Sequence, residues 1–339
     1  MKTAITRGPF DIVIADAPEP TPAPGEALVR VERVGICGSD LSLYKGTHPY
    51  RLYPRIQGHE AAGRIVAFGD GDAVGLSVGD RVAVEPLLPC GTCYPCRVGR
   101  RNCCTRLQVI GAHVDGMFRQ YVALPLFTLY QASDLEPDLA ALAEPVSIAV
   151  QAVARGEITA ADRVVVMGAG PIGTAICLAA TDRGARVMVV DKIPARLEIA
   201  RAYGAEQTVN ADEEDVASVV QAWTDGEGPS VIVDAVGAPA VIRRCCDLVA
   251  SAGRVVIVGL SEQEVSLPIL DFTRKEMTIL GSRNNAGLFA HAVDLVRRHR
   301  ERMTAMITHR YPLDRFPEAI KFAAEHPAEA EKVMIEVSG

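Results

Sequence analysis

The 339-residue sequence lacks any uninterrupted apolar run long enough to span a bilayer, and its first residues lack the apolar core of a signal peptide. It also lacks a basic arm, and its formal net charge is −7 at pH 7. These absences argue against a membrane protein, an exported protein, and a protein whose main partner is nucleic acid or an anionic membrane. With 49% hydrophobic and 23% charged residues, the composition is that of an ordinary globular chain, which we expect in the cytoplasm.

Cysteine is present in nine copies, and four of them form a cluster. In a chain without an export signal, clustered cysteines favour a bound metal over disulfides. Gaps of two, two and seven residues let short loops aim the four sulfurs at one point. Four thiolates with no open position suit a structural zinc ion, and the alternative is an iron bound by four thiolates. The predicted ligands are Cys90, Cys93, Cys96 and Cys104.

A second, looser set of metal-binding residue types consists of Cys37, His59, Glu60 and Glu144. Sulfur, imidazole and carboxylate together form the mixed set expected of a catalytic metal. Taken singly, each residue has an ordinary explanation as a core cysteine, a structural histidine or a surface carboxylate. Sequence spacing alone does not show that the four side chains converge.

The first third of the chain is typical of a β domain. Apolar and polar residues alternate at 27–34 and 63–68, which predicts two strands, and a turn enters a third strand at 78–84. An all-β, barrel-like domain fits this region.

From about residue 150 the pattern changes, because short buried strands now alternate with helices. The predicted strands lie at 163–167, 186–190, 231–234 and 254–259. This alternation implies a parallel sheet with right-handed crossovers. Two amphipathic helices, at 289–297 and 317–325, and a strand at 332–337 complete the tail, which we expect to pack back on the first domain.

A glycine-rich loop follows the first strand of the predicted parallel sheet and opens a helix, with the sequence Gly168-Ala-Gly170-Pro171-Ile172-Gly173. The pattern G-x-G-x-x-G is weak alone, but here it has the right context. The first glycine permits a tight turn, the second lets the backbone approach a pyrophosphate, and the third lets helix and strand pack closely. The loop therefore predicts a dinucleotide whose phosphates lie at the helix N-terminus.

Asp191 ends the next strand, where a carboxylate can accept hydrogen bonds from ribose hydroxyls and repel an added phosphate. This favours NAD over NADP, although Arg196 and Lys192 could soften the preference, and a plain turn or helix cap is the alternative. The ends of later strands, at Val236 and at Val258 to Leu260, are expected to line the nicotinamide half of the site.

In their order along the chain, these motifs resemble those of the zinc-containing medium-chain dehydrogenase/reductase family over the full length. The matching segments are 35–40, 58–60, 78–82, the four-cysteine lobe, 144–145 and 168–173. The resemblance implies an α/β fold with a GroES-like β-barrel catalytic domain at 1–149, whose structural-zinc lobe covers about 88–105. A Rossmann domain with a doubly wound parallel sheet follows at 150–281, and a C-terminal segment at 282–339 returns to the catalytic domain.

Within the family the chain is similar to the polyol and sugar-acid branch, in which a carboxylate replaces the second thiolate of the alcohol dehydrogenases. Segments 53–55, 107–116 and 282–284 resemble L-gulonate, L-galactonate and L-idonate 5-dehydrogenases and starvation-sensing proteins. The resemblance implies a zinc- and NAD-dependent enzyme that oxidises a secondary alcohol of a small polyol or sugar acid, assembled as a homodimer or homotetramer. The alternatives are a threonine or amino-alcohol dehydrogenase and a non-catalytic, zinc- and nucleotide-binding regulatory protein.

The resemblance also implies residue roles at the catalytic zinc. Cys37 and His59 would be ligands, Glu60 would supply the next ligand position, and Glu144 would either ligate or hold a metal-bound water. In the cysteine lobe, Cys104 rather than its neighbour Cys103 restores the family spacing.

Proton transfer is where the sequence departs from the family pattern. Ser39 is placed to take the alcohol proton, but the position of the usual relay histidine is Ser42. The final acceptor is therefore open among bulk water, His48 and a glutamate. Ser282 and Arg283 are expected near the cofactor, and Arg283 could instead bind the substrate or form a salt bridge at the domain boundary.

Overall fold

The structure, a computed structural model, describes residues 1–49, 52–71, 73 and 75–338. It divides into two compact units. The first comprises Met1–Glu144 and the described residues from Ala286 onward, and the second is Pro145–Asn285. The sequence-based boundaries, after residues 149 and 281, lie a few residues from these. Among the described residues, no helix has both the length and the apolar character that crossing a membrane requires.

The N-terminal part of the first unit is rich in strands. They are β1 (Lys2–Gly8), β2 (Asp11–Asp16), β3 (Glu26–Gly35), β4 (Glu60–Phe68), β5 (Arg81–Val84), β6 (Leu87–Leu88), β7 (Gln108–Val109), β8 (Tyr121–Pro125) and β9 (Leu129–Gln131). Short helices connect them: α1 (Gly38–Tyr44), α2 (Tyr94–Arg97) and α3 (Pro137–Ala141), with 3₁₀ turns at Arg101–Cys103 and Leu126–Thr128. The strands predicted at 27–34, 63–68 and 78–84 correspond to β3, β4 and β5.

The second unit alternates strands and helices. After α4 (Ala143–Arg155) it runs through β10 (Arg163–Met167), α5 (Pro171–Asp182), β11 (Arg186–Asp191), α6 (Pro194–Ala202), β12 (Gln207–Asn210), α7 (Val216–Trp223), β13 (Val231–Asp234), α8 (Pro239–Leu248), β14 (Arg254–Ile257), α9 (Ile269–Lys275) and β15 (Thr278–Gly281). The strands form one sheet in the order β12-β11-β10-β13-β14-β15, and every pair is parallel. The prediction of a parallel sheet is confirmed.

One strand of this sheet is shorter than the sequence predicts. The segment 254–259 was expected to be strand throughout, but β14 ends at Ile257. The N–H groups of Val258 and Gly259 both donate to the carbonyl of Asp234, at 2.9 and 3.1 Å. The chain therefore leaves the strand after Ile257 and bends towards the carboxyl end of β13.

The tail of the chain belongs to the first unit. It consists of α10 (Phe289–Arg298), α11 (Arg300–Thr304), β16 (Ile307–Pro312), a 3₁₀ turn at Leu313–Arg315, α12 (Phe316–Glu325) and β17 (Lys332–Glu336). The main sheet of this unit has the order β16-β17-β3-β4-β5-β9, with β8 also paired to β3. In the core beside it, the rings of Phe118 and Phe316 lie 4.1 Å apart. The C-terminal residues thus contribute both strands and core side chains to the N-terminal domain.

A buried carboxylate links three strands of the sheet. Glu32 on β3 is 5% exposed and accepts hydrogen bonds from Arg64 Nε on β4, at 2.9 Å, and from Arg81 Nε on β5, at 2.6 Å. Burial alone would raise the pKa of Glu32, but Arg81 and Arg64 outweigh it and hold the pKa below its usual value.

We expect the substitution Glu32→Gln to destabilise the first unit by about 3 kcal/mol, because two partly buried guanidinium groups lose their counter-charge. Since the folded pKa of Glu32 is depressed, its stabilisation is present above the unfolded value of about 4.3 and is lost as pH falls through the folded pKa. Thermal melts at several pH values should show the gap between wild type and variant shrinking in acid. The control Glu206→Gln removes an exposed pair with Arg186 and should cost under about 1 kcal/mol.

Candidate metal and dinucleotide sites

The candidate catalytic site lies where three paired strands of the first unit begin or end. Cys37 is two residues beyond the end of β3, and His59 immediately precedes Glu60, the first residue of β4. Gly35 pairs directly with Glu60, because β3 and β4 are antiparallel. β17 pairs antiparallel with the other edge of β3 and begins at Lys332. Strand register, rather than a local loop, brings these side chains to one edge of the sheet.

The structure brings Cys37, His59 and Glu60 together. One ligand atom from each lies within 4.8 Å of the others, with Cys37 half-buried and the other two buried. Glu144 stands in the first turn of α4 and is also buried. It is not part of that tight group, but its charge interacts with those of His59 and Glu60. Burial raises the pKa of Glu144 to about 7.

The donor set fits a zinc ion. Thiolate, imidazole and carboxylate are all zinc ligands. The tight group has three donors, which leaves the fourth position of a tetrahedral zinc for another ligand. Nδ1 of His59 is buried without a hydrogen-bond partner among the described residues and lies 4.0 Å from Asp40. Burial would lower the pKa of His59, but Cys37 and Asp40 outweigh it and hold the pKa well above its ordinary value. The surroundings of His59 therefore favour a positive charge at this position.

Ser39 lies beside this group, with its Oγ 3.5 Å from Nε2 of His59. It also borders a cavity of about 10 Å³, which has room for about one water molecule. The cavity is lined by Ser39, Asp40, Leu43, His48, Gln57, Gly111 and Ala112. Ser42 is not among these residues, and its Oγ donates to the carbonyl of Gly38 at 3.0 Å. His48, one of the candidate proton acceptors, therefore shares a cavity with Ser39, and Ser42 does not line it.

The four-cysteine lobe places the sulfurs of Cys90, Cys93, Cys96 and Cys104 within 4.8 Å of one another. The Sγ of Cys93 lies 3.4 Å from that of Cys96 and 3.7 Å from that of Cys104. Zinc–sulfur bonds of about 2.3 Å in a tetrahedron separate sulfurs by about 3.8 Å, so the cage fits zinc. Backbone N–H groups of Thr92 and Cys93 lower the pKa of Cys90 to about 5, which favours the thiolate that a metal requires.

The glycine-rich loop follows β10, at the point where the order of the sheet reverses between β10 and β13. Gly168 has φ +98°, and a Cβ on Gly173 would lie 1.8 Å from the Gly168 carbonyl oxygen. The space around Gly170 is open, and the guanidinium of Arg196 lies 3.8 Å from where its Cβ would be. Pro171 and Ile172 form the first turn of α5. The loop is therefore a backbone cradle with a cation beside it, which fits a pyrophosphate.

Two family models match the chain. The alcohol dehydrogenase GroES-like domain matches residues 23–134, and the zinc-binding dehydrogenase model matches residues 171–298. A zinc-type alcohol dehydrogenase-like protein of Haemophilus influenzae is 37% identical over 328 residues, 96% of each chain. The L-galactonate-5-dehydrogenase of Escherichia coli is 36% identical over 313 residues, 92% of each chain.

Among solved structures, the chain is similar to the alcohol dehydrogenase RspB of Escherichia coli CFT073 in complex with NADH. The TM-score is 0.93 at 33% identity, over 99% of both chains. The chain belongs to the zinc-containing medium-chain dehydrogenase/reductase family. The predicted resemblance to its polyol and sugar-acid branch is confirmed, as are the GroES-like and Rossmann-type domains. This dehydrogenase is an alcohol dehydrogenase-type oxidoreductase that uses zinc and a nicotinamide dinucleotide.

In this dehydrogenase the Asp191 carboxylate is fixed by the backbone. Its Oδ2 accepts from the N–H of Ala169 in the glycine loop at 2.6 Å. Its Oδ1 accepts from the N–H groups of Lys192 and Ile193, at 2.7 and 2.9 Å. The local turn that was the alternative explanation for Asp191 is therefore present. The bond from Ala169 also connects Asp191 to the glycine-rich loop.

The other residues expected at the cofactor lie at the carboxyl ends of the parallel strands. Val236 follows β13, and its side chain would meet a Cβ on Gly168 at 2.8 Å. Val258 and Leu260 follow β14, and Leu260 is 92% exposed. Ser282, which is buried, and Arg283 follow β15, three strands from β10. Val236 thus adjoins the loop directly, whereas Ser282 and Arg283 lie farther along the same edge.

The sequence analysis missed Lys332, whose Nζ lies 2.7 and 2.6 Å from the two carboxylate oxygens of Glu60. The available signal was a lysine at the start of a strand whose next three residues, Val333 to Ile335, are apolar. That signal points to a buried charge only when its partner is known, and the partner is far away in sequence. Asp40 was also missed, although it is buried and accepts from the N–H of Cys37 at 2.9 Å.

Adjacent cysteines allow a matched test of the four-thiolate cage. Cys104→Ser should lose one zinc per chain and lower the melting temperature, because its sulfur completes the group with Cys93. Cys103→Ser should keep the full zinc content, since Cys103 ends a 3₁₀ turn outside that group. Elemental analysis of dialysed protein measures both. Loss of metal from Cys103→Ser alone would make Cys103, and not Cys104, the fourth ligand. A red protein that contains iron would show that the four thiolates bind iron and not zinc.

Proposed function

We propose that this dehydrogenase oxidises a secondary alcohol of a polyol or sugar acid to a ketone with NAD. The observation that carries the proposal is the convergence of Cys37, His59 and Glu60, with Glu144 buried beside them. This metal pocket contains one thiolate and two carboxylates, as the resemblance to the polyol and sugar-acid branch implies. The similarity to an L-galactonate-5-dehydrogenase supports a hydroxylated acid as substrate.

In the mechanism we propose, Cys37 and His59 would hold the zinc, together with a carboxylate from Glu60 or Glu144. When bound, zinc supplies a Lewis acid that favours loss of the alcohol proton, and NAD accepts the hydride. The Ser39 hydroxyl, 3.5 Å from His59, would receive that proton at Oγ.

His48 is the proposed final proton acceptor. One water in the cavity that Ser39 and His48 share would connect the two side chains. Burial, with smaller effects of His113 and His59, lowers the pKa of His48. The imidazole is therefore neutral at physiological pH and able to accept a proton. This would replace the relay histidine whose position is occupied by Ser42.

The preference for NAD would come from Asp191, whose carboxylate is held in place by three backbone N–H groups. We expect Asp191→Asn to raise the ratio of kcat/KM with NADP to kcat/KM with NAD at least tenfold, because a negative charge that repels the extra phosphate is lost. The matched control is Glu198→Gln, an exposed acid on α6 that pairs with Arg201 and should leave the ratio unchanged. An unchanged ratio in Asp191→Asn would remove Asp191 from cofactor selection.

The function is tested by NADH formation from zinc-replete protein with L-gulonate, L-idonate, L-galactonate, sorbitol, xylitol and L-threonine. We expect turnover of a sugar acid or polyol, and its loss in Cys37→Ala together with one zinc per chain. Retained NAD binding by Cys37→Ala would show that the variant is folded. Exclusive turnover of L-threonine would favour an amino-alcohol dehydrogenase, and zinc and NAD binding without any turnover would favour a regulatory protein.

The working assembly is proposed to be a homodimer or homotetramer in the cytoplasm. Light scattering coupled to size-exclusion chromatography measures the mass directly. A monomer of 36.2 kDa that is fully active would contradict this part of the proposal.

A further inference from the structure

Asp234, the last residue of β13, closes the turn that follows it with its own side chain. Its Oδ1 accepts from the N–H groups of Val236 and Gly237, each at 3.1 Å, and its Oδ2 accepts from the N–H of Gly237, also at 3.1 Å. Aspartate side chains hold turns in this way by bonding to the backbone two residues further on. The residue is fully buried, so the carboxylate lies behind the turn and not on the surface.

The backbone of the same residue holds a second turn. The carbonyl oxygen of Asp234 accepts from the N–H groups of Val258 and Gly259, at 2.9 and 3.1 Å, where the chain leaves β14. The two turns touch backbone to backbone, because a Cβ on Gly259 would lie 2.1 Å from the nitrogen of Gly237. A Cβ on Gly237 would likewise lie 2.8 Å from the nitrogen of Leu260. A displacement of one turn is therefore transmitted to the other.

The turn after β13 also rests against the glycine-rich loop. Cγ2 of Val236 would lie 2.8 Å from a Cβ on Gly168, and the N–H of Ala235 donates to the carbonyl of Met167 at 2.9 Å. β10 and β13 are the neighbours at which the order of the sheet reverses. Dinucleotides bind outside the carboxyl ends of parallel strands at such a point. One buried carboxylate thus lies behind three backbone segments of the candidate dinucleotide site.

The two turns present apolar side chains to solvent, since Val236 is 48% and Leu260 92% exposed. Ligand sites are lined mainly by apolar side chains with a few polar groups that fix orientation. The adenosine end of the dinucleotide is assigned to Asp191 on β11, which lies on the other side of β10 from β13. The turns after β13 and β14 are therefore on the side that remains for the nicotinamide half.

Stability alone is a weak explanation for a carboxylate at this position. Burial raises the pKa of Asp234, and the hydrogen bonds from Gly237 and Val236 oppose this shift without cancelling it. The charged form is thus held at a net cost in free energy. Groups held at such a cost cluster at functional sites, where their geometry is needed.

We propose that Asp234 is a positioning residue that fixes the turns at 234–237 and 258–260 in the arrangement that receives the nicotinamide half of the dinucleotide. The carboxylate orders the backbone before the cofactor binds, so less conformational freedom is lost on binding. The inference concerns the dinucleotide that the family uses and is independent of the substrate. A failure of the substrate panel would leave it standing.

The test compares Asp234→Ala with Asp234→Asn by calorimetric titration with NAD and with AMP. Asp234→Ala should raise the Kd for NAD at least about fivefold, because both acceptors are lost and the turns must be ordered on binding. The Kd for AMP, which lacks the nicotinamide half, should change by less than about twofold. Asp234→Asn keeps Oδ1, which accepts from both N–H groups, and should bind NAD nearly as tightly as wild type.

The matched control is Asp162→Ala, which removes a buried carboxylate at the opposite edge of the same sheet. Asp162 accepts from Ser230 Oγ at 2.7 Å and from the N–H of Thr159 at 2.8 Å, and it pairs with Arg254. Asp162→Ala should lower the melting temperature without changing the Kd for NAD. A merely structural role of Asp234 would make the two alanine variants behave alike.

Hydrogen exchange without cofactor measures the arrangement itself. In Asp234→Ala the amides of Val236 and Gly237 should exchange faster than in wild type, because their acceptor is gone. The amides of Val258 and Gly259 should follow, because the two turns pack against each other. If Asp234→Ala does not fold, Asp234→Ser carries the same measurements, since its side chain is too short to reach both N–H groups.

The proposal is overturned if Asp234→Ala binds NAD as tightly as wild type, or if it weakens NAD and AMP by the same factor. An equal loss of NAD affinity in Asp162→Ala would also overturn it, because lost stability would then explain the effect. Faster exchange confined to 234–237 would show that the two turns are not coupled and would contradict it as well. So would a loss of NAD affinity in Asp234→Asn equal to that in Asp234→Ala, since the charge and not the hydrogen bonds would then be needed.

Discussion

The antiparallel pairing of β3 with β4 on one side and with β17 on the other is the constraint on which the metal pocket depends. A shift by one residue in either register would turn every side chain of the shifted strand to the opposite face. Glu60 or Lys332 would then leave the pocket, while the hydrogen-bond ladder stayed intact. The chemistry of the site is thus set by backbone hydrogen bonds, and Gly35 between the two strands supplies the space that the carboxylate needs.

The two metal sites of this dehydrogenase are built on opposite principles. The four-cysteine lobe uses residues 90–104, whose short gaps bring the sulfurs together almost without help from the rest of the fold. The mixed site draws Cys37 from just beyond β3, Glu60 from β4 and Lys332 from β17. The first arrangement is local and closed, whereas the second is distributed and can keep a position open. The difference in construction follows the difference in chemical task.

The sequence predicted what is local and periodic. The loop from Gly168 to Gly173 was recognisable because strand, glycine turn and helix are contiguous, and the parallel sheet followed from strands that alternate with helices. The contact between Lys332 and Glu60 was not predictable, because nothing near either residue specifies strand pairing across such a separation. The early end of β14 was also missed. The sequence does not show that the N–H groups of Val258 and Gly259 bond to the carbonyl of Asp234 and not to a neighbouring strand.

The separation between Cys37 and Lys332 also has a consequence for biosynthesis. A chain emerges from the ribosome N-terminus first, so the cysteine lobe is complete and able to take up metal while most of the protein is still being translated. The mixed site lacks β17 until residues 332–336 have emerged, and during that interval Glu60 has no lysine beside it. The ligands of the lobe are therefore available to metal before the catalytic pocket is complete.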